Sequence, residues 1–351
     1  MQDISSVASS WNQILYGWPL NQIGKTLIVV PDLNHWLSIE KDFEKLKKTF
    51  PINKFASQVE SKGVTDIIFK ATDATTRTGE QYVDKTAEFW YWLGGEMNLR
   101  RGAYHWLQYS VDPTVAWNYY RKFLDSHPCE WPHIMDFEEP SVTNASDYIW
   151  RAQTWFEKAN ADMGDRKALC YTGLWYIDKL KSILINSGEK WVSKLGWLHT
   201  QPLWLAVYSR YWPTVYAQKY MRYRVYDNKP LWPWSEDEMA GWQYTARAHF
   251  PYEGYNTGES GRNWGFDGDG LDINFFKKDW LDANVMDSGN NNPLPPPIQD
   301  DDNQESQHDG EVLAEITSIS GELDALSVGL ADVSRKARQL IEKHKEASGN
   351  A

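Results

Sequence analysis

The chain has 351 residues, enough for one large domain and an appendage, because single hydrophobic cores stop growing at roughly 250 to 300 residues. With 42% hydrophobic and 24% charged residues it reads as globular, and it lacks the run of roughly 20 apolar residues that a membrane helix needs, so no membrane partner is expected. A net charge of −12 repels polyphosphate backbones and argues against nucleic acid as a partner.

Met1 to Ser10 carry Asp3 and no Lys or Arg, and no apolar stretch of the secretory kind follows. The expectation is cytoplasmic synthesis without a signal peptide. Cys129 and Cys170 are too few for a disulfide framework and read as buried thiols. The composition is unusual in its 20 Trp beside 19 Tyr and 12 Phe. Flat aromatic faces can stack on the C–H face of a sugar, although they are also ordinary core material.

Residues 1–25 read as an N-terminal extension, and strands and helices alternate after it. Thr26–Asp32 reads as a strand and Asp42–Phe50 as a charged helix. Thr65–Thr72 gives the second strand, after which Tyr82, Val83, Phe89, Trp90, Leu93 and Met97 fit one helical face. Arg101–Leu107 gives the third strand. Asp112 then sits where an N-cap belongs, with Pro113 at the first position of a helix through Leu124. His133–Phe137 is the fourth strand, and Tyr148, Ile149, Ala152, Trp155, Phe156 and Ala159 mark the helix that follows it. Ala168–Thr172 is the fifth strand, with a helix over Trp175–Ile185. Three more strands, Leu203–Tyr208, Gly241–Thr245 and Leu271–Phe275, are joined by segments rich in Pro, Gly, Trp and Tyr without helical period. Five βα units and three further strands predict an α/β fold, a modified TIM-like parallel barrel over 26–285, with its chemistry at the C-terminal ends of the strands.

Residues 286–311 change character: Pro293, Pro295, Pro296 and Pro297 precede Asp300, Asp301 and Asp302, which predicts a disordered acidic linker. In 312–345, Val312, Ile316, Ile319, Leu323, Leu326, Leu330, Val333, Ala337 and Leu340 alternate in steps of four and three, the seam of a coiled-coil helix. Flanking positions match Glu315 with Lys343 and Glu322 with Lys336 in an antiparallel dimer. The expected role is a homo-oligomer through this helix or docking to a larger assembly.

Asp136 and Glu138 lie two apart at the end of a strand, so both face one side, roughly 6 to 7 Å apart. Two carboxylates this close push one another's pKa apart, so that one stays protonated while the other is ionised, which is what glycoside hydrolysis uses. Asp32 closes the first strand, and Asp272 sits between Leu271 and Ile273, an awkward place for a charge unless it faces a polar site. In a closed barrel the first and last strands are neighbours, so four carboxylates would converge on one mouth. A metal held by His133, Asp136 and Glu138 lacks a His-rich ligand set, and neither metal nor cofactor is expected.

Eight short motifs carry a resemblance: VPDLNHW around Asp32, IIFKATD from Ile67, RGAYHW from Arg101, HIMDFEEP around Asp136, CYTG from Cys170, LWLAVY from Leu203, GWQYT from Gly241 and LDINFF from Leu271. In this order, across Thr26 to Phe276, they resemble the family 25 glycoside hydrolases, the Chalaropsis-type lysozymes. The resemblance implies a (β/α)5(β)3 barrel and cleavage of the β-1,4 bond between N-acetylmuramic acid and N-acetylglucosamine in bacterial peptidoglycan. It implies Glu138 as the catalytic acid, Asp136 as the stabiliser of developing positive charge, and Asp32 and Asp272 as groups that orient substrate and tune the pair. Tyr104, Trp106, Tyr171, Trp204, Trp242 and Tyr244 are candidates for the substrate-binding walls; His105 and His133 read as structural. The sequence departs from the family in the residues before the first strand, in Val-Pro before Asp32, in Glu139 as a third acid, and in the Trp-rich passage from Tyr208 to Met239. The absence of a signal peptide would fit a phage-released or virion-associated lysin. The alternative is a glycan-binding or virion structural protein on the same barrel.

Overall fold

The computed structural model describes residues 27–75, 79–206, 233–235, 237–245, 261–268 and 270–286. The N-terminal extension, the acidic linker, the coiled-coil helix and most of the Trp-rich passage lie outside these residues, as does the side chain of Tyr244. Among the described residues no helix is long and apolar enough to cross a membrane.

Among the described residues nine strands form one sheet: β1 Leu27–Leu33, β2 Asp66–Ala74, β3 Gln81–Val83, β4 Arg100–Trp106, β5 Ile134–Asp136, β6 Leu169–Gly173, β7 Leu203–Ala206, β8 Met239–Thr245 and β9 Asp272–Lys277. Eight of them close into a barrel, because β1 pairs with β9 on one side and with β2 on the other; β3 hangs on β2 as an antiparallel edge. The pairs from β1 through β2, β4, β5, β6 and β7 to β8 are parallel. The last strand is the exception to the expected parallel barrel, since β9 runs antiparallel to both β8 and β1. Its first residue, Asp272, therefore reaches the mouth where the other strands end.

The five expected βα helices are present, with two corrections. Tyr82 and Val83 belong to β3, and the helix after it covers Ala87–Glu96. A helix missed in the sequence, Ile52–Lys62, starts directly after Pro51 and buries only Phe55 and Val59. The predicted start at Pro113 holds: the Asp112 side chain accepts hydrogen bonds from the Thr114 and Val115 N–H groups. The two cysteines are not bridged, Cys170 being buried and Cys129 half-buried.

Strand alternation sorts side chains into two apolar layers. The outer one, between strands and helices, holds Val29, Phe69, Met135, Phe137, Leu205, Ile273 and Phe275 with the helical aromatics Trp90, Tyr148 and Trp155. The inner one fills the barrel with Ile28, Val30, Ile68, Tyr104, Ile134, Leu169, Tyr171, Trp204 and Phe276, closed at the bottom by Trp131. Two glycines make room for it. A Cβ on Gly102 would lie 3.0 Å from the Trp131 ring, and one on Gly241 would lie 2.4 Å from the Phe276 ring.

One polar side chain crosses the apolar interior. Asn274 is fully buried, accepts from the Trp204 indole at 2.9 Å and donates to the Val30 carbonyl at 2.9 Å. Asn274→Leu would strand both partners, so it should lower the unfolding free energy by roughly 2 to 4 kcal/mol, read by urea denaturation. A loss below about 1 kcal/mol would mean that this bridge does not fix Trp204.

Candidate active site

The strands deliver their last inward residues to a cavity of about 290 Å³, lined by Asp32, Tyr104, Trp106, Asp136, Glu138, Pro140, Tyr171, Trp175, Trp204 and Asp272. The four carboxylates of the sequence reading thus share one cavity, as do Tyr104, Trp106, Tyr171 and Trp204. Trp242 does not: it packs, 3% exposed, in the outer layer. The inward residue of that strand is its neighbour Gln243, which accepts a hydrogen bond from the Tyr171 hydroxyl at 2.5 Å. His105 and His133 also lie elsewhere, His105 bonded to Thr72 at 2.8 Å and His133 to Asp162 at 2.9 Å.

Each carboxylate is placed by its strand. Asp32 and Asp272 stand directly opposite in the β1–β9 ladder, where facing side chains are about 5 Å apart and like charges repel. Asp136 ends β5 beside Trp106 of β4 and Tyr171 of β6. The next residue, Phe137, turns outward and stacks on Tyr148 at 5.0 Å, which returns Glu138 to the cavity. Glu139 turns away again; it is fully buried, and its carboxylate caps the Ser141 N–H at 2.7 Å. The third acid beside the pair thus shapes the loop and does not enter the cavity.

Three carboxylate oxygens of the cavity, Asp32 Oδ1, Asp136 Oδ1 and Glu138 Oε1, are buried with no hydrogen-bond partner, and so is the Trp106 indole nitrogen. Unpaired buried polar atoms cost stability, and folded proteins retain them where a site uses them. Burial and mutual repulsion act together on the acids. Burial, then Asp272 and Asp136, push Asp32 well above the usual carboxylate range, and burial with Glu138 does the same to Asp136. Glu138 is pushed up to about 7 by burial, opposed by the Gly173 N–H and reinforced by Asp272. Burial alone lifts Asp272 to about 7.

The sequence reading missed the cation of this site. Lys70, on β2 in register with Tyr104, is 3% exposed, pairs with Asp73 and lies 4.5 Å from the Trp106 ring centroid. It opposes the upward shift of Asp32 and of Asp136. Asp73 in turn accepts from Gln108 at 2.9 Å and from the Tyr82 hydroxyl at 3.0 Å. The available signal was a Lys alternating with Ile68 on the inward face of a strand. Trp175 and Pro140 were also missed; both stand just beyond strand ends, where alternation no longer assigns a face.

Among the described residues no group of three or more His, Cys, Asp and Glu side chains is arranged to hold a metal. The chemistry available is proton transfer and charge stabilisation by carboxylates, above a floor of Tyr and Trp rings.

Residues 51–252 match the family model for Glycosyl hydrolases family 25. The chain belongs to this family. The match leaves out β1 and β9, so Asp32 and Asp272 join the site through the barrel's closure. Among curated proteins, the chain is 26% identical over 115 residues to the uncharacterized protein YegX of Escherichia coli, covering 33% of this chain and 42% of that protein. The chain therefore spans less than half the length of that relative. Among solved structures, it is similar to the Clostridium perfringens spore cortex lytic enzyme SleM, at 16% identity and a TM-score of 0.47, over 74% of this chain and 69% of that one. It is also similar to the catalytic domain of endolysin ply40 from bacteriophage P40 of Listeria monocytogenes, at 15% identity and a TM-score of 0.44, over 74% and 97%.

The raised acids link stability to pH. Asp272 rises from an ordinary 3.8 to about 7, so between these values the folded protein holds protons that the unfolded chain has released. Stability must then fall as pH rises through this window. Asp272→Asn should remove part of the penalty, stabilising the protein at pH 8 by roughly 1 to 4 kcal/mol with little gain near pH 4. Thermal melts at both pH values read this; equal destabilisation at both would show that Asp272 is ionised at no such cost.

Proposed function

We propose that this chain is a muramidase that hydrolyses the β-1,4 bond between N-acetylmuramic acid and N-acetylglucosamine in peptidoglycan. The observation that carries this reading is the four-carboxylate cavity, with three unpartnered acidic oxygens, in a chain of this hydrolase family. In the proposed reaction a sugar lies over the Tyr104, Tyr171 and Trp204 floor. Glu138, whose pKa of about 7 keeps much of it protonated near neutrality, delivers its proton to the glycosidic oxygen. Asp136, with Lys70 favouring its charged form, stabilises the positive charge that develops at the sugar or its N-acetyl group. Asp32 and Asp272 hold substrate hydroxyl or amide groups and raise the proton affinity of the pair.

Glu138→Gln should reduce release of soluble fragments from dye-labelled cell walls by about 100- to 10,000-fold, because the amide keeps the shape and has no acidic proton to give. Its melting temperature should not fall. Asp136→Asn should also lose most turnover while still binding a glycan fragment in calorimetry. In the wild type, activity should decline as pH rises through about 7, as the acid form of Glu138 is depleted. A Glu138→Gln protein of undiminished activity would remove Glu138 from the acid role. A wild type that binds glycan fragments and releases none would make the barrel a binding module.

A further inference from the structure

Glu138 lies just past the end of β5, and the segment beside it is the start of the helix Leu174–Asn186, which follows β6 without a break. Gly173, at the N-cap of this helix, makes no side-chain cap. A Cβ at Gly173 would lie 2.3 Å from Trp175 Nε1 and 2.8 Å from Glu138 Oε1. The indole donor and the acid's unpartnered oxygen therefore converge on one small space that only glycine leaves open. Trp175 lines the cavity and is 46% exposed, so its ring is not held there by core packing alone.

We propose that Trp175 is the positioning residue for the acid: its indole N–H donates to the Glu138 carboxyl group and aims it into the cavity. This rests on the reading of Glu138 as general acid. The hydrogen bond does two things. It fixes the carboxyl rotamer: Oε1 has no hydrogen-bond partner among the described residues, and the Trp175 N–H is the side-chain donor that acts on this carboxyl group. It also favours the ionised form, countering the burial that lifts Glu138 to about 7. The other titratable groups around this carboxyl are Asp136 at the end of β5, Asp272 on β9, Asp32 on β1, Tyr104 on β4, Cys170 and Tyr171 on β6 and Tyr176 on the helix, while Lys70 on β2 acts on Asp32 and Asp136. Of these only Lys70 is a cation. The N–H of Trp175 is thus a neutral brake on the acid's pKa.

The test replaces Trp175 with 3-benzothienylalanine, which keeps the ring's shape and exchanges the N–H for sulfur. The Glu138 carboxyl is then titrated by carbon NMR in the full-length protein, with no need for turnover. The expected result is a midpoint raised by about one pH unit. The alkaline limb of kcat against pH should move by the same amount. A ring that served only as a wall would leave the midpoint in place, and opening the site to water would lower it; either outcome overturns the proposal. Gly173→Ala, whose methyl group would enter the shared space, should lower kcat on the order of 100-fold with a smaller change in KM. Undiminished kcat in that variant would equally contradict it. Failure of the acid reading would look different: Glu138→Gln would retain turnover, while the NMR titration would still report the hydrogen bond.

Discussion

Gathering four carboxylates at one end of a barrel opposes folding, and the rest of the architecture can be understood as what makes that concentration tolerable. Asp32 and Asp272 face each other across a strand pair, and Asp136 and Glu138 lie two residues apart, so no member is out of reach of another's charge. Water cannot screen them fully in a cavity of about 290 Å³ floored by aromatic rings. The result is proton retention: these acids titrate upward because burial disfavours their charged forms, and for Asp32, Asp136 and Glu138 neighbouring carboxylates add to it. That retention is also what an acid catalyst working near neutral pH requires.

Around this constraint the barrel distributes its support unevenly. Lys70 lies toward Asp32 and Asp136 and is anchored by Asp73, Gln108 and Tyr82, a network spanning β2, β3 and the loop after β4. Among the described residues no cation contributes to the shift of Glu138. Its neighbours are the Gly173 amide and the Trp175 indole, which stabilise a negative charge less than an ammonium does. The asymmetry lowers the cost of charging Asp136 through Lys70, the direction that the proposed reaction needs. Below them, Asn274 ties Trp204 to the backbone of β1 and so holds this ring of the cavity floor.

The sequence made the four acids legible because each breaks a local rule. Asp272 lies between Leu271 and Ile273, and both neighbours are fully buried in the outer layer while Asp272 faces the cavity. Asp136 and Glu138 keep the period of two on either side of an outward Phe137. What was not legible depends on tertiary geometry. The direction of β9 is set by how the chain closes the barrel, which no residue pattern encodes. Tyr82 and Val83 fit a helical stripe, but three residues of β3 are too few to display a strand period. Trp242 has the aromatic character of a sugar platform, yet pairing irregularities on both sides of β8 leave Gln243 inward and Trp242 in the outer core. The helix Ile52–Lys62 shows only two buried apolar positions and so gives a weak stripe.

As a muramidase, the proposed enzyme must cleave the glycan on a defined side of N-acetylmuramic acid. This is tested most directly by digesting purified peptidoglycan with the full-length protein, reducing the new chain ends with borohydride and identifying them by mass spectrometry. New muramitol ends are expected in the wild-type digest and none above background with Glu138→Gln. New glucosaminitol ends, cleavage in the peptide stems, or no new ends from a folded wild-type protein would contradict it.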